Sequence, residues 1–481
     1  MAPPPDDDHT CGWKAYAEAQ KAYAEEQAKR LTELEAKLAE LQRRMLGKKS
    51  ERQKPSKLPP PLPARVTPSS TAAKRASLAA LRDAHMQTDI VDIPVPPDAR
   101  TCPGCGNDKL RAVGSGKTST TYEYVQPHFR KRVHRRETLA CRCGALVTAL
   151  PPPRAFDQTR YAPSFIAHLI VSKCADSIPQ YRLEKAYRHI GIPMSRSTMC
   201  ELFHKAGKEL TPLHTAALAL VKTSPDVHAD ETSIRQQDKS ARSFMWDFVT
   251  PELVVYHFAD SRSGDTPKHV LGNSKGRLVV DQHTGYNAVT GPDGRTRAGC
   301  LAHARRKIFE AREHPETNEA LHLIADIYRV ERDAKDAGIL GTDAHLALRK
   351  SCSRPLFARL LRWARRHRDA HEPRSLMGKA MRYLLRHRKA LGCFLRFYSI
   401  APDNNAAESA LRRVALGRSN FLFVAHKQAG VHLAVLYTLV ASCEKNNVNP
   451  YLYLADVLLR IQSHPASAID DLLPHKWKPP R

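Results

Sequence analysis

The sequence predicts a multidomain α+β protein. Its parts are an N-terminal coiled-coil helix, a small zinc-binding module, a helix-turn-helix-like helical domain and a mixed α/β core interrupted by a helical insertion. Three observations point there. Short β-rich runs near 227–231, 244–249, 253–258 and 278–280 cluster in one stretch, as the strands of one sheet would. A long, Arg-rich helical stretch then separates Asp281 from the next acidic helix, and a compact sheet domain holds a connection of that length only as an inserted domain. Upstream, a leucine-bearing helix and two close cysteine pairs lie on either side of proline-rich sequence. The expected boundaries are 1–51 for the helix, 52–100 for a linker, 101–150 for the cysteine module and 155–215 for the helical domain. The core follows at 224–300 and 396–445, split by an insertion at 301–395, with a helical tail at 446–481.

Residues 13–46 are rich in Ala, Glu, Lys, Gln and Leu, all good helix formers. Leu31, Leu34, Leu38, Leu41 and Met45 recur in steps of three and four, the seam of a self-associating coiled coil. A helix packed on its own chain is the alternative. The proline runs at 58–63 and 93–97 predict extended linker,. Cys102 and Cys105 follow, with Gly104 permitting the tight turn of a zinc knuckle, and Cys141 and Cys143 stand one residue closer than the usual spacing. Together they make either a tetrahedral Zn2+ site or a set of free thiols. The basic, strand-like run 128–136 between the pairs suits phosphate contact,, or is a solvated charged strand.

Beyond three prolines at 151–153, Phe165, Leu169 and Ile170 mark an apolar helical stripe. The turn from Gly191 leads to Ser195, a cap for the next helix,. A helix-turn-helix would aim Arg196, Ser197 and Lys205 at DNA; an ordinary helical hairpin has the same pattern. Two β-rich runs separated by 250–252 form a hairpin, a helix is expected near 267–271, and Trp246 and Phe258 read as core. Residues 318–388 read as basic helices, a clamp for DNA or plain solvated surface. Helices from 431 and from Asn449 close the chain.

Across the 481 residues, 76 Lys and Arg stand against 49 Asp and Glu, a net charge of +27. That excess favours a polyanionic partner. No run of apolar residues is long enough for a spanning helix, and the first residues lack the parts of a signal peptide. A cytoplasmic, nucleoid-associated protein with no membrane partner is expected. The 11 cysteines are mostly scattered, which argues for reduced thiols rather than a disulfide framework.

The chemistry rests on three carboxylates. Asp230 falls in the middle of a strand, where Asp is disfavoured,. Asp281 ends the 278–280 strand, and ligands and metals gather at such strand ends. Glu408 lies on a helix capped by Asp403 or Asn404, beside the stripe Ala407, Leu411 and Val414, and either looks into a cleft or pairs with Arg412 on the surface. Two strand carboxylates and one helix carboxylate can hold a pair of hard divalent ions, Mg2+ or Mn2+, a clamp suited to phosphodiester displacement.

These residues carry a resemblance. The blocks 228–232, Asp281 with Gly285 and Tyr286, 299–306 and 403–408 resemble, in order, the insertion sequence 66 family of bacterial transposases. Similar blocks stand at 47–51 and 472–477. The resemblance implies an RNase H-like core with Asp230, Asp281 and Glu408 as a DDE triad, and a zinc-binding domain at the four cysteines. It implies cleavage of double-stranded DNA at the element's ends and joining to target DNA, with helper proteins from the same element as possible partners. His303 would then lie close to the cleft and contact the scissile phosphate, Arg305 and Arg306 would steady the DNA backbone, and Arg418 and Asn420 would lie near the site as structural or DNA-facing residues, Arg418 as a DNA contact. A non-catalytic zinc-containing DNA-binding regulator is the rival reading.

Overall fold

The fold is that of a computed structural model in which residues 10–46, 129–140, 146–148, 152–157 and 159–479 are described. It divides into two compact units, Met1–Leu38 with Phe129–Arg481, and Ala39–His128.

Helix α1 spans Thr10–Leu46. Leu31, Leu34 and Leu38 on it are 61, 56 and 57% exposed, so the described part of the expected seam is not packed on this chain; the side chains of Leu41 and Met45 lie outside the described residues. Residues 129–137 carry no ladder pairing, so the described part of the basic run, expected as a strand, is not one; β1 (Thr138–Ala140) follows it and pairs antiparallel with β2 (Leu146–Thr148). Phe129 instead packs its ring against Phe165 and Tyr187.

Four helices follow: α2 (Pro163–Cys174), α3 (Gln180–His189), α4 (Arg196–Glu209) and α5 (Thr211–Thr223). The Ser195 hydroxyl accepts the Thr198 N–H at 3.2 Å, the expected cap of α4. These helices bury Ile166, Ile170, Met199, Phe203, Leu213 and Val221 in the same core as the sheet that follows.

That sheet is mixed and five-stranded. Its strands are β3 (Asp226–Ile234), β4 (Ser243–Val249), β5 (Val254–Ala259), β6 (Arg277–Val280) and β7 (Thr296–Gly299), in the order β5-β4-β3-β6-β7. The first three form an antiparallel meander. β6, reached through α6 (Asp265–Leu271), and β7 add in parallel on the other side of β3. A helix covers the β5 edge. Within α14 (Lys427–Lys445), Thr438 accepts the Tyr256 N–H at 2.9 Å and Ser442 accepts the Val254 N–H at 3.0 Å. Backbone donors that would template another strand are thereby satisfied.

β6 alternates between two cores. Leu278 and Val280 join the first, while Val279 joins a second built by α7 (Leu301–Glu310), α8 (Thr317–Asp336), α10 (Arg354–Arg368) and α11 (Leu376–Arg386), with α9 (Asp343–Leu348) alongside. This second core is the helical stretch between Asp281 and Glu408. Arg349, 1% exposed, anchors its return path. The guanidinium pairs with both oxygens of Glu331 and donates to the carbonyls of Phe394, Phe397 and Ile400. The chain then passes a short helix α12 (Arg388–Leu391) and enters α13 (Asn405–Phe421); α15 (Pro450–Arg460) ends the regular elements. Trp477 closes the tail, donating to Asp456 at 2.7 Å.

Candidate active site

One face of β3 builds the site. Val227 and Ala229 point into the core and Glu231 shares their face; His228, Asp230 and Thr232 alternate onto the other face, under α13. His228 Nδ1 lies 3.2 Å from Asn404 Oδ1. At the far end, the Arg418 guanidinium donates to Thr232 Oγ1 at 2.7 Å and to the Ser233 carbonyl at 2.6 Å. Helix and strand are thus tied on both sides of Asp230. Glu408 stands one turn beyond Asn404, its N–H donating to the Asn404 carbonyl at 3.1 Å, so it shares that face.

The sheet register places the second aspartate. β3 and β6 pair Asp226 with Arg277, Val227 with Leu278 and His228 with Val279. β6 ends one residue later at Val280, so Asp281 follows the strand next to β3, and its charge acts on Asp230. Asp281 Oδ1 accepts the His283 N–H at 2.8 Å, and Arg297 donates to the Asp281 and His283 carbonyls at 2.7 Å each, which fixes the turn that carries it.

Asp230 feels both partners. Burial, with the charges of Glu231, Asp281 and Glu408 adding, pushes its carboxyl up to about 7, while the Glu231 N–H pulls the other way. The carboxylate charges that add to the effect of burial are a concentration of negative charge that a cation relieves.

The expected cap of α13 is half right. Asp403 accepts the Asn405 N–H at 3.1 Å, but Asn404, at the capping position, makes no such bond; its amide donates to the Ala229 carbonyl at 2.9 Å. Glu408 faces the start of α7. His303 Nδ1 lies 3.6 Å and Cys300 Sγ 4.0 Å from Glu408 Oε1, and Cys300 Sγ accepts the Asn404 N–H at 3.2 Å. Arg305 lies over the Phe309 ring, and Arg306 follows exposed on the same helix. Arg196, 66% exposed, pairs with Glu184 at 3.2 Å. Asn420 and Arg196 line a separate surface cleft with Lys173 and Phe421. Cys102, Cys105, Cys141 and Cys143 lie outside the described residues.

Sequence reasoning passed over three groups. Asp247 pairs with Asp230 across the β3–β4 ladder and accepts its N–H at 2.9 Å. It is fully buried, its Oδ2 has no partner, and burial holds its carboxyl well above the ordinary range. The signal was an Asp between Trp246 and Phe248 in a run otherwise fit for core. Glu231 is likewise buried, held by Arg262 Nε at 2.6 Å and the Tyr286 hydroxyl at 2.6 Å. These bonds brace the residue next to Asp230. Arg262 itself had no sequence signal beyond its charge.

Three family models point to one family. Residues 158–432 match the transposase IS66 family, residues 438–475 its C-terminal element, and residues 99–144 the zinc-finger binding domain of transposase IS66. Among curated proteins, the uncharacterized protein y4jD of Sinorhizobium fredii is 30% identical over 414 residues, 80% of each chain. The uncharacterized protein y4qI of the same organism is 30% identical over 425 residues, covering 82% of this chain and 77% of its own.

Proposed function

Since the chain belongs to the IS66 family of transposases, we propose that it binds the ends of an insertion sequence and catalyses divalent-metal-dependent DNA strand cleavage and strand transfer on an RNase H-like core. The observation that supports this reading is Asp230 itself, raised to about 7 by burial first and then by the charges of Glu231, Asp281 and Glu408, of which Asp281 follows the neighbouring parallel strand and Glu408 stands on a helix. The strand order, a three-stranded meander extended by two parallel strands, supports the RNase H-like assignment.

The donor set fits hard cations: three carboxylates, one of them held partly protonated by burial and by its neighbours' charge,. Asp230, Asp281 and Glu408 would hold magnesium or manganese. A divalent cation supplies there, when bound, charge neutralisation at the scissile phosphate and activation of an attacking water or 3′-hydroxyl. The remaining work belongs to the chain. Asn404 and Arg418 fix α13 against β3 and so set where Glu408 points. His303, with no hydrogen bond of its own at Nδ1, stands beside Glu408 in position to orient that carboxylate or to meet a phosphate oxygen. Arg305 and Arg306 extend the positive surface along α7 towards the DNA backbone, and Arg196 offers a second phosphate contact. Arg418, bonded at Thr232 and Ser233, serves the site by positioning. At Cys102, Cys105, Cys141 and Cys143 the zinc-finger match supports Zn2+, and the exposed leucines of α1 support self-association.

The test is incubation of the full chain with magnesium and DNA bearing the element's ends. Cleaved strands and joined products are expected, and Glu408→Gln should bind the same DNA without cutting it. Binding by the parent protein with no cleavage under any divalent cation would leave the DNA-binding regulator as the reading.

A further inference from the structure

Far from the three carboxylates in sequence, the helical insertion carries a second set of metal-type donors. The turn between α7 and α8 presents His314 and Glu316, and the turn after α10 presents His371. Their ligand atoms lie within 4.8 Å of one another. Ligand atoms around a tetrahedral zinc stand about 3.4 Å apart, given bonds of about 2.0–2.1 Å, so side-chain adjustments of about an ångström complete the triangle. The backbone under it is fixed from both sides. The His314 N–H donates to the Ala311 carbonyl at 3.0 Å, the Thr317 hydroxyl donates to the His314 carbonyl at 2.7 Å, and Trp363 Nε1 of α10 donates to the Glu316 carbonyl at 3.0 Å.

Two features are unexplained without a ligand. Glu316 Oε2 is shut off from solvent yet has no hydrogen-bond partner, a costly state for a carboxylate oxygen. The imidazoles of His314 and His371 meet at 4.9 Å between ring centres, nearly perpendicular, with the Glu316 carboxylate beside them. The surrounding arginines do not forbid a cation, because Arg366 is paired with Glu319 and Arg368 with Asp369.

The geometry points to a structural site for a borderline transition-metal ion, zinc in kind, held by His314, Glu316 and His371 with water in the fourth position. Two imidazoles and one carboxylate suit zinc over magnesium, so this site and the carboxylate centre select different ions. Its effect is mechanical. The ion clips the turn at the end of α7, the helix that is capped by Cys300 and carries His303, to the turn after α10, and so stiffens the helical insertion itself. The inference stands independently of strand transfer, because it concerns metal binding alone.

The experiment is zinc stoichiometry on the full chain after equilibration with micromolar zinc and removal of the excess, comparing the parent with His314→Ala, His371→Ala and Glu316→Gln. Each variant should hold one zinc fewer per chain with unchanged circular dichroism; Glu316→Gln keeps the size of the side chain and guards against simple misfolding. With cobalt in place of zinc, the parent-minus-variant spectrum should show ligand-field bands without thiolate charge transfer, which separates this site from any cysteine site. Equal zinc content in parent and variants, or a difference spectrum with thiolate charge transfer, would overturn the assignment.

Discussion

Replacing Asp230 by Asn should stabilise the metal-free protein while abolishing its chemistry. Asn keeps the size of the side chain and the oxygen that accepts the Glu231 N–H at 2.9 Å, so only the charge is lost. That charge is costly in the fold: burial and three carboxylate neighbours raise the group from 3.8 to about 7, which corresponds to about 4 kcal/mol. Residual hydration of this partly exposed group reduces the figure to about 2 kcal/mol. The sign follows from proton linkage. Between pH 4 and 7 the folded state binds a proton the unfolded chain has released, so parent stability falls as pH rises through that window. The advantage of Asp230→Asn is therefore full above pH 7, less than half as large at pH 5, and absent below about pH 4. Thermal melts without divalent ions should place the variant roughly 2–5 °C above the parent at pH 8. Added magnesium should raise the parent's melting temperature and leave the variant's almost unmoved. A variant less stable than the parent at pH 8 without metal, or equal magnesium stabilisation of both, would refute the charge-cluster reasoning.

Asp281→Asn and Glu408→Gln should each lower strand cleavage by a factor on the order of a thousand, several kcal/mol of barrier, with DNA affinity in a gel-shift assay unchanged; normal cutting by either removes that residue from the centre. Tyr286→Phe strips the buried Glu231 of one hydrogen bond and should cost about 1–2 kcal/mol, read as a lower melting temperature; an unchanged melt would mean that Glu231 does not depend on it. Leu31, Leu34 and Leu38 changed together to Glu should turn a self-associated protein into a monomer by light scattering, whereas a parent that is already monomeric contradicts the coiled-coil seam.

Much of the core was legible because strand and helix patterns there agree with local chemistry. Pro225 opens β3, the hairpin at 250–252 divides β4 from β5, and Asp281 follows β6 by one position. The long gap before Glu408 is filled by the helices of the second core. What escaped were groups whose meaning depends on which strand lies next to which. Asp247 reads as a misfit in a core run until the ladder sets it opposite Asp230. Asn404 reads as a helix cap, yet a carbonyl of β3 claims its amide. The run at 129–137 carried charge without an alternating apolar face, so nothing held it in a ladder. Similarly, nothing in one dimension links His314 and Glu316 to His371; only the packing of α10 against the α7–α8 turn brings them together.

The most direct measurement is a manganese titration of the metal-free full chain, followed by electron paramagnetic resonance, for the parent and for Asp230→Asn, Asp281→Asn and Glu408→Gln one at a time. If the three side chains share one cation centre, each change alone should weaken binding there by about tenfold or more. Undiminished manganese affinity in any one of the three would contradict it.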